Sequence, residues 1–108
     1  MRKGLLFVIA ILVLGLALSP CVWAKSKTIK VGINAPITGD IPKVGEGSKY
    51  AAEMWLEDIK AAGGLDVGGV KYMVEVIVED NESKPESAAK AATKLITEDE
   101  VLAIVGPQ

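Results

Sequence analysis

Two pairs of carboxylates, Glu53 with Glu57 and Glu75 with Glu79, are the side chains whose type and spacing could support acid–base hydrolysis. Both pairs fall on faces of elements where charge is ordinarily solvated surface. The chain has no His, and Cys21 is its only cysteine. That excludes the usual zinc constellations and the Ser-His-Asp or Cys-His nucleophile arrangements within this chain. The expectation is a protein that is not an enzyme and that holds no metal or cofactor, although residue types alone leave hydrolysis by the paired carboxylates open. Gly45-Glu46-Gly47 could suggest a dinucleotide fingerprint, but it lies far from the first strand and lacks the third glycine of that pattern. The segment that calls for a function is NAPITGDIPKVGEG, Asn34 to Gly47, with three glycines and two prolines in 14 residues. Connections between a strand and a helix usually take about 2–6 residues.

The elements around that segment can be read from periodicity. Thr28 to Asn34 alternates Ile29, Val31 and Ile33 with less apolar neighbours, which predicts a strand. From about Gly45 to Ala62, Ala51, Ala52, Trp55, Leu56 and Ile59 share one face of a helix, which makes Trp55 a core residue. Gly63-Gly64 should end that helix, since glycine takes the left-handed conformation there without a Cβ clash. After a turn at LDVGG, Val70 to Asp80 (VKYMVEVIVED) predicts a second strand covered on both faces. Ser83 and Glu86 have the spacing of a capping box for a helix carrying Ala88, Ala91, Ala92, Leu95 and Ile96. Val101 to Val105 (VLAIV) predicts a third buried strand.

The order β-α-β-α-β with right-handed crossovers makes a parallel three-stranded sheet, α/β in class, with helices on both faces and the first strand in the middle. In such sheets ligands bind beyond the carboxyl ends of the strands, where successive connections diverge. The segment Asn34 to Gly47 leaves the carboxyl end of the first strand, so its glycines and prolines are expected to shape backbone that approaches a small molecule. The second strand, with VEVIV at its centre, would stand at a sheet edge and invite aggregation.

The N-terminus has the order of a secretory signal peptide. Arg2 and Lys3 precede the apolar run Leu5 to Leu18, and Val22-Trp23-Ala24 offers a small-residue cleavage site. Ser19-Pro20 cuts the run short of the ~20 residues a spanning helix needs. Residues 1–24 are thus expected to be removed and 25–108 to form the exported domain, with no stable membrane insertion after cleavage. A lipoprotein processed at Cys21 is the competing route, disfavoured by Pro20 before the cysteine. Residues 25–108 contain ten lysines against 14 acids, with no basic block. No nucleic-acid partner is expected from that balance.

Four stretches carry a family resemblance: VGINAPITGD, GEGSKYAAEMWLEDIKAAGGL, VEVIVEDNESKPESAAKAATKLI and VLAIVGP. In this order behind a signal peptide they resemble the N-terminal part of the leucine-type (branched-chain amino acid) substrate-binding proteins of ABC transporters. The likeness covers residues 28–108. It implies the type I periplasmic binding protein fold, in which two α/β lobes close on an amino acid or similar small polar ligand. It also implies a location in the periplasm or on the extracytoplasmic surface and, for the full-length form, delivery to an ABC transporter permease. This chain would be a truncated form, holding part of the first lobe. The alternative function is a membrane-tethered interaction or ligand-sensing module that keeps its N-terminal apolar segment.

What the resemblance implies for individual residues is limited. Family members often place an aromatic residue just before the glycine that opens the first helix, and here Val44 stands before Gly45. Polar contacts to ligand in the family come from hydroxyl residues just beyond the third strand, a region this chain reaches only at Gln108. Val44 and Gln108 are therefore the ligand-binding candidates. Thr38 and Gly39 match the family's loop pattern and join them as candidates, although threonine and glycine also serve turns.

Overall fold

The computed structural model describes residues 27–108. The signal-peptide reading of residues 1–24, the Cys21 alternative and a start at Lys25 lie outside the described residues.

The chain runs through strand β1 (Thr28–Ala35), helix α1 (Pro42–Ala61), strands β2 (Leu65–Val67) and β3 (Val70–Asp80), helix α2 (Pro85–Thr97) and strand β4 (Ala103–Val105). The sheet order is β2-β3-β1-β4. As expected, β1 is central and pairs in parallel with β3, from Thr28↔Met73 to Ala35↔Asp80, and with β4, from Val31↔Ala103 to Ile33↔Val105. The parallel three-stranded core is extended by β2, which pairs antiparallel with the start of β3 over Leu65↔Tyr72 to Val67↔Val70. LDVGG is therefore half of a β-hairpin rather than a plain turn. Gly68 and Gly69 turn it with φ of 60° and 83°, the left-handed pair that a two-residue hairpin loop requires.

Alternation along β1 separates the two faces. Gly32 lies against Leu95 of α2, and a Cβ at Gly32 would come within 2.9 Å of that leucine's methyls. Val31 and Ile33, of opposite parity, share a cleft with Ala51, Ala52 and Trp55 of α1. The helices thus cover opposite faces, as right-handed crossovers in opposite directions require. The core sits toward the carboxyl end of β1. Ile33, Ala35, Ile59, Ala91 and Leu95 are the buried apolar residues, and β1 passes from exposed at Thr28 to buried over its last four residues.

Five expectations from the sequence change. Helix α1 begins at Pro42, about one turn earlier than periodicity indicated, so the connection from β1 is only residues 36–41. Proline suits that first helical position because its absent N–H would have no partner there. Trp55 faces the sheet but remains 39% exposed, because among the described residues nothing lies beyond the short edge strand β4. That strand is itself three residues long, with Val105 exposed, and β3 is half-buried along most of its length rather than covered on both faces. The N-cap of α2 is Lys84, with no side-chain cap bond; Ser83 turns its hydroxyl elsewhere, as described below. Gly63-Gly64 does end α1, in a Schellman arrangement: Gly63 N–H donates to Lys60 O at 3.0 Å and Gly64 N–H to Ile59 O at 2.9 Å.

Candidate functional site

Three chain segments meet at the carboxyl ends of the parallel strands: Pro36–Ile41 after β1, Asn81–Lys84 after β3, and Gly106–Gln108 after β4. Two buried carboxamides tie their bases together. Asn34, the penultimate residue of β1, donates from Nδ2 to Ala88 O of α2 at 2.8 Å. Its Oδ1 accepts from Asn81 Nδ2 at 3.1 Å, and the same Asn81 nitrogen reaches Gln108 O at 3.3 Å. Asn81 Oδ1 accepts the Ser83 N–H at 3.0 Å. Both side chains are essentially without solvent exposure, so each bond replaces water that is absent there, and an unpaired amide in this place would cost about 1–3 kcal/mol. Close approach of backbone needs glycine at Gly106, where φ is 110° and a Cβ would stand 2.3 Å from Asn34 O.

The outer part of the site is held by Asp80 and Ser83. Asp80 Oδ1 accepts N–H bonds from Ile37 at 3.0 Å, Thr38 at 3.1 Å and Glu82 at 2.8 Å, while Oδ2 accepts the Thr38 hydroxyl at 2.6 Å. The Thr38 hydroxyl is the main reason the Asp80 carboxyl sits below its ordinary pKa; burial opposes it, and the three backbone donors add to it. Ser83 Oγ accepts from Asp40 N at 3.0 Å and Ile41 N at 3.3 Å and donates to Thr38 O at 3.2 Å.

Between these loops lies a cleft of about 340 Å³ lined by Ile41, Asn81, Ser83, Lys84, Ala88 and Gln108, with Pro85 and Pro107. Its wall is largely apolar with a few polar groups, a composition suited to small-molecule sites. Gln108 is the sequence-indicated residue that lines it. Val44 lies in the first turn of α1, 45% exposed, and connects to Gln108 through Ser48, whose hydroxyl stands 3.1 Å from Val44 O and 2.5 Å from Gln108 Oε1. Thr38 is bound to Asp80, and Gly39, with φ of 93°, packs so tightly on Glu82 that a Cβ would lie 2.2 Å from its carbonyl oxygen. The four candidates therefore divide into Val44 with Gln108 on one side and Thr38 with Gly39 on the other. Sequence reasoning missed Asn34, Asp80, Asn81 and Ser83. The available signal for Asn34, Asp80 and Asn81 was an amide or acid at the ends of β1 and β3, where backbone N–H groups run out of sheet partners.

Residues 28–108 match the periplasmic binding protein family. The chain belongs to that family. A relative described as an amino acid binding protein of Pseudomonas aeruginosa is 30% identical over 105 residues, covering 97% of this chain and 26% of the relative. The isoleucine complex of the branched-chain amino acid transporter substrate-binding protein LivJ from Streptococcus pneumoniae is similar at 38% identity with a TM-score of 0.66, over 75% of this chain and 22% of LivJ. A solute-binding protein of an ABC transporter from Rhodopseudomonas palustris, solved with 3,4-dihydroxybenzoic acid, is 34% identical with a TM-score of 0.57, over 71% of this chain and 20% of that one. The chain thus spans about a quarter or less of the length of these relatives. Its α/β sheet is that of part of one lobe of the type I periplasmic binding proteins.

Proposed function

We propose that this chain is the first portion of an extracytoplasmic substrate-binding protein that takes up an amino acid, branched-chain or similarly small, for an ABC transporter permease. In that reading residues 1–24 are the signal peptide, Lys25 begins the exported domain, and residues 25–108 form part of the first lobe. The second lobe supplies the opposite wall of the cleft. The chain binds and delivers its ligand without transforming it. The observation that carries the reading is the convergence of three strand-end loops on one cleft, in a chain 38% identical to an isoleucine-bound protein of this family. Gln108 and Val44, joined through Ser48, then form the edge nearest the ligand.

Relatives differ in ligand, since one is solved with isoleucine and another with an aromatic acid. Calorimetric titration of a form carrying both lobes, with leucine, isoleucine, valine and 3,4-dihydroxybenzoate, distinguishes the two. Micromolar binding of a branched-chain amino acid is the expected result. Tight binding of the aromatic acid alone would move the ligand class, and binding of none of the four would refute the assignment. Mass spectrometry of the exported product should find Lys25 at its N-terminus.

A further inference from the structure

The loop between β1 and α1 has little of its own to fix its shape. Ile41 at the N-cap of α1 contributes no side-chain cap bond. Yet every residue from Ile37 to Ile41 touches the segment Asp80–Ser83: Ile37 and Thr38 through Asp80, Gly39 through close packing on Glu82, and Asp40 and Ile41 through Ser83 Oγ. Ser83 thus supplies from another loop the acceptor for the N-cap N–H of Ile41 that a Glu or Gln at the third helical position, here Val44, provides in a capping box. Glu82 and Ser83 adopt φ of 52° and 58°, a left-handed conformation uncommon for residues with a Cβ. Here it aims the Ser83 hydroxyl back across the cleft.

We propose that Asp80 and Ser83 are positioning residues that impose the ligand-facing conformation of residues 37–41 and the placement of the first turn of α1. Specificity in this site then depends on a pair of loops rather than on one. Grafting residues 36–41 into a relative would not transfer their shape unless residues 80–83 travelled with them. The proposal rests on the ligand-binding reading above, but its test needs no ligand, so the two can fail separately.

The test is backbone amide hydrogen exchange on the full 108-residue chain in Ser83→Ala, Asp80→Ala and Asp80→Asn. Loss of one acceptor should speed exchange about tenfold at the amides it holds. For Ser83→Ala these are Asp40 and Ile41; for Asp80→Ala they are Thr38 and Glu82, while Ile37, the third amide on Asp80, keeps a second acceptor in Ala35 O. Amides of the β1–β3 ladder should keep their rates. Asp80→Asn should retain most protection, because its amide oxygen can still accept from the backbone while its nitrogen donates to Thr38 Oγ1. Unchanged rates at the named amides in both alanine variants would overturn the proposal. So would a uniform rise across the sheet, which would make the two residues general stabilisers, or equal losses in Asp80→Asn and Asp80→Ala.

Discussion

Two glycines in α1 make a matched pair for testing how closely the helix is held against the β1–α1 loop. Gly47 has open space where a Cβ would be, whereas a Cβ on Gly45 would lie 2.3 Å from Pro36 O and 2.6 Å from Pro36 C. Alanine at either position gains about 1 kcal/mol of helix propensity over glycine. At Gly47 that gain stands alone, so Gly47→Ala should stabilise by up to about 1 kcal/mol. At Gly45 the obstacle is backbone, which cannot rotate aside, and reaching an ordinary contact requires the helix or loop to move by roughly an ångström. Overpacking of this kind costs about 1–3 kcal/mol. The propensity term cancels between the two variants, leaving Gly45→Ala about 1–3 kcal/mol less stable than Gly47→Ala. Urea unfolding followed by far-UV circular dichroism resolves this readily, since a slope near ~1 kcal/mol/M for a small chain places the midpoints about 1 M or more apart. A Gly45→Ala midpoint equal to or above that of Gly47→Ala would show that α1 is not pressed on Pro36, and the described loop geometry would be wrong.

Leu95 is fully buried over Gly32, so Leu95→Ala should lose about 3–5 kcal/mol; in a core this small, thermal melting should show little cooperative folding left. Because the Asp80 carboxyl is held below its ordinary 3.8, its contribution to stability is full above that value and disappears as pH falls through its lower, folded pKa. Unfolding midpoints from pH 5 to pH 2 should therefore fall less steeply for Asp80→Asn than for the parent chain, and parallel curves would argue against the Thr38–Asp80 bond. In a form carrying both lobes, Val44→Trp should change the preference among amino acids by about 1–3 kcal/mol while leaving the melting temperature nearly unchanged; identical preferences would remove Val44 from the site.

Much of the sheet was legible because parallel α/β topology leaves few choices. The alternation Ile29, Val31, Ile33 marks β1, and the two crossovers place it between its later partners. Local signals were less secure where two loops share one solution. Ser83 and Glu86 have capping-box spacing, but the Ser83 hydroxyl serves Asp40 and Ile41 instead, since those N–H groups lack a local acceptor. Pro42 read as part of a long loop although it opens the helix, because proline is equally at home in both settings. Trp55 lies on the apolar stripe as expected; what decides its exposure is the layer beyond β4, which periodicity in α1 does not encode. The candidate site was legible in location, at the carboxyl end of β1, more than in residues. Asp80, Asn81 and Asn34 act through contacts some 40 or more positions apart, a separation at which sequence spacing carries no geometric signal.

The central place of β1 also bears on the order in which the protein can assemble. Synthesis delivers β1 first, but its neighbours arrive much later, β3 with Met73 onward and β4 with Ala103 onward. Until then the central strand has no sheet to join, and contacts of such long sequence separation form slowly because a large loop must close first. A nascent chain interrupted between Asp80 and Ala103 would hold β1 against β3 alone, with Val31 to Ile33 presenting a bare edge. The second side of the central strand is therefore covered only once Ala103 to Val105 have been made.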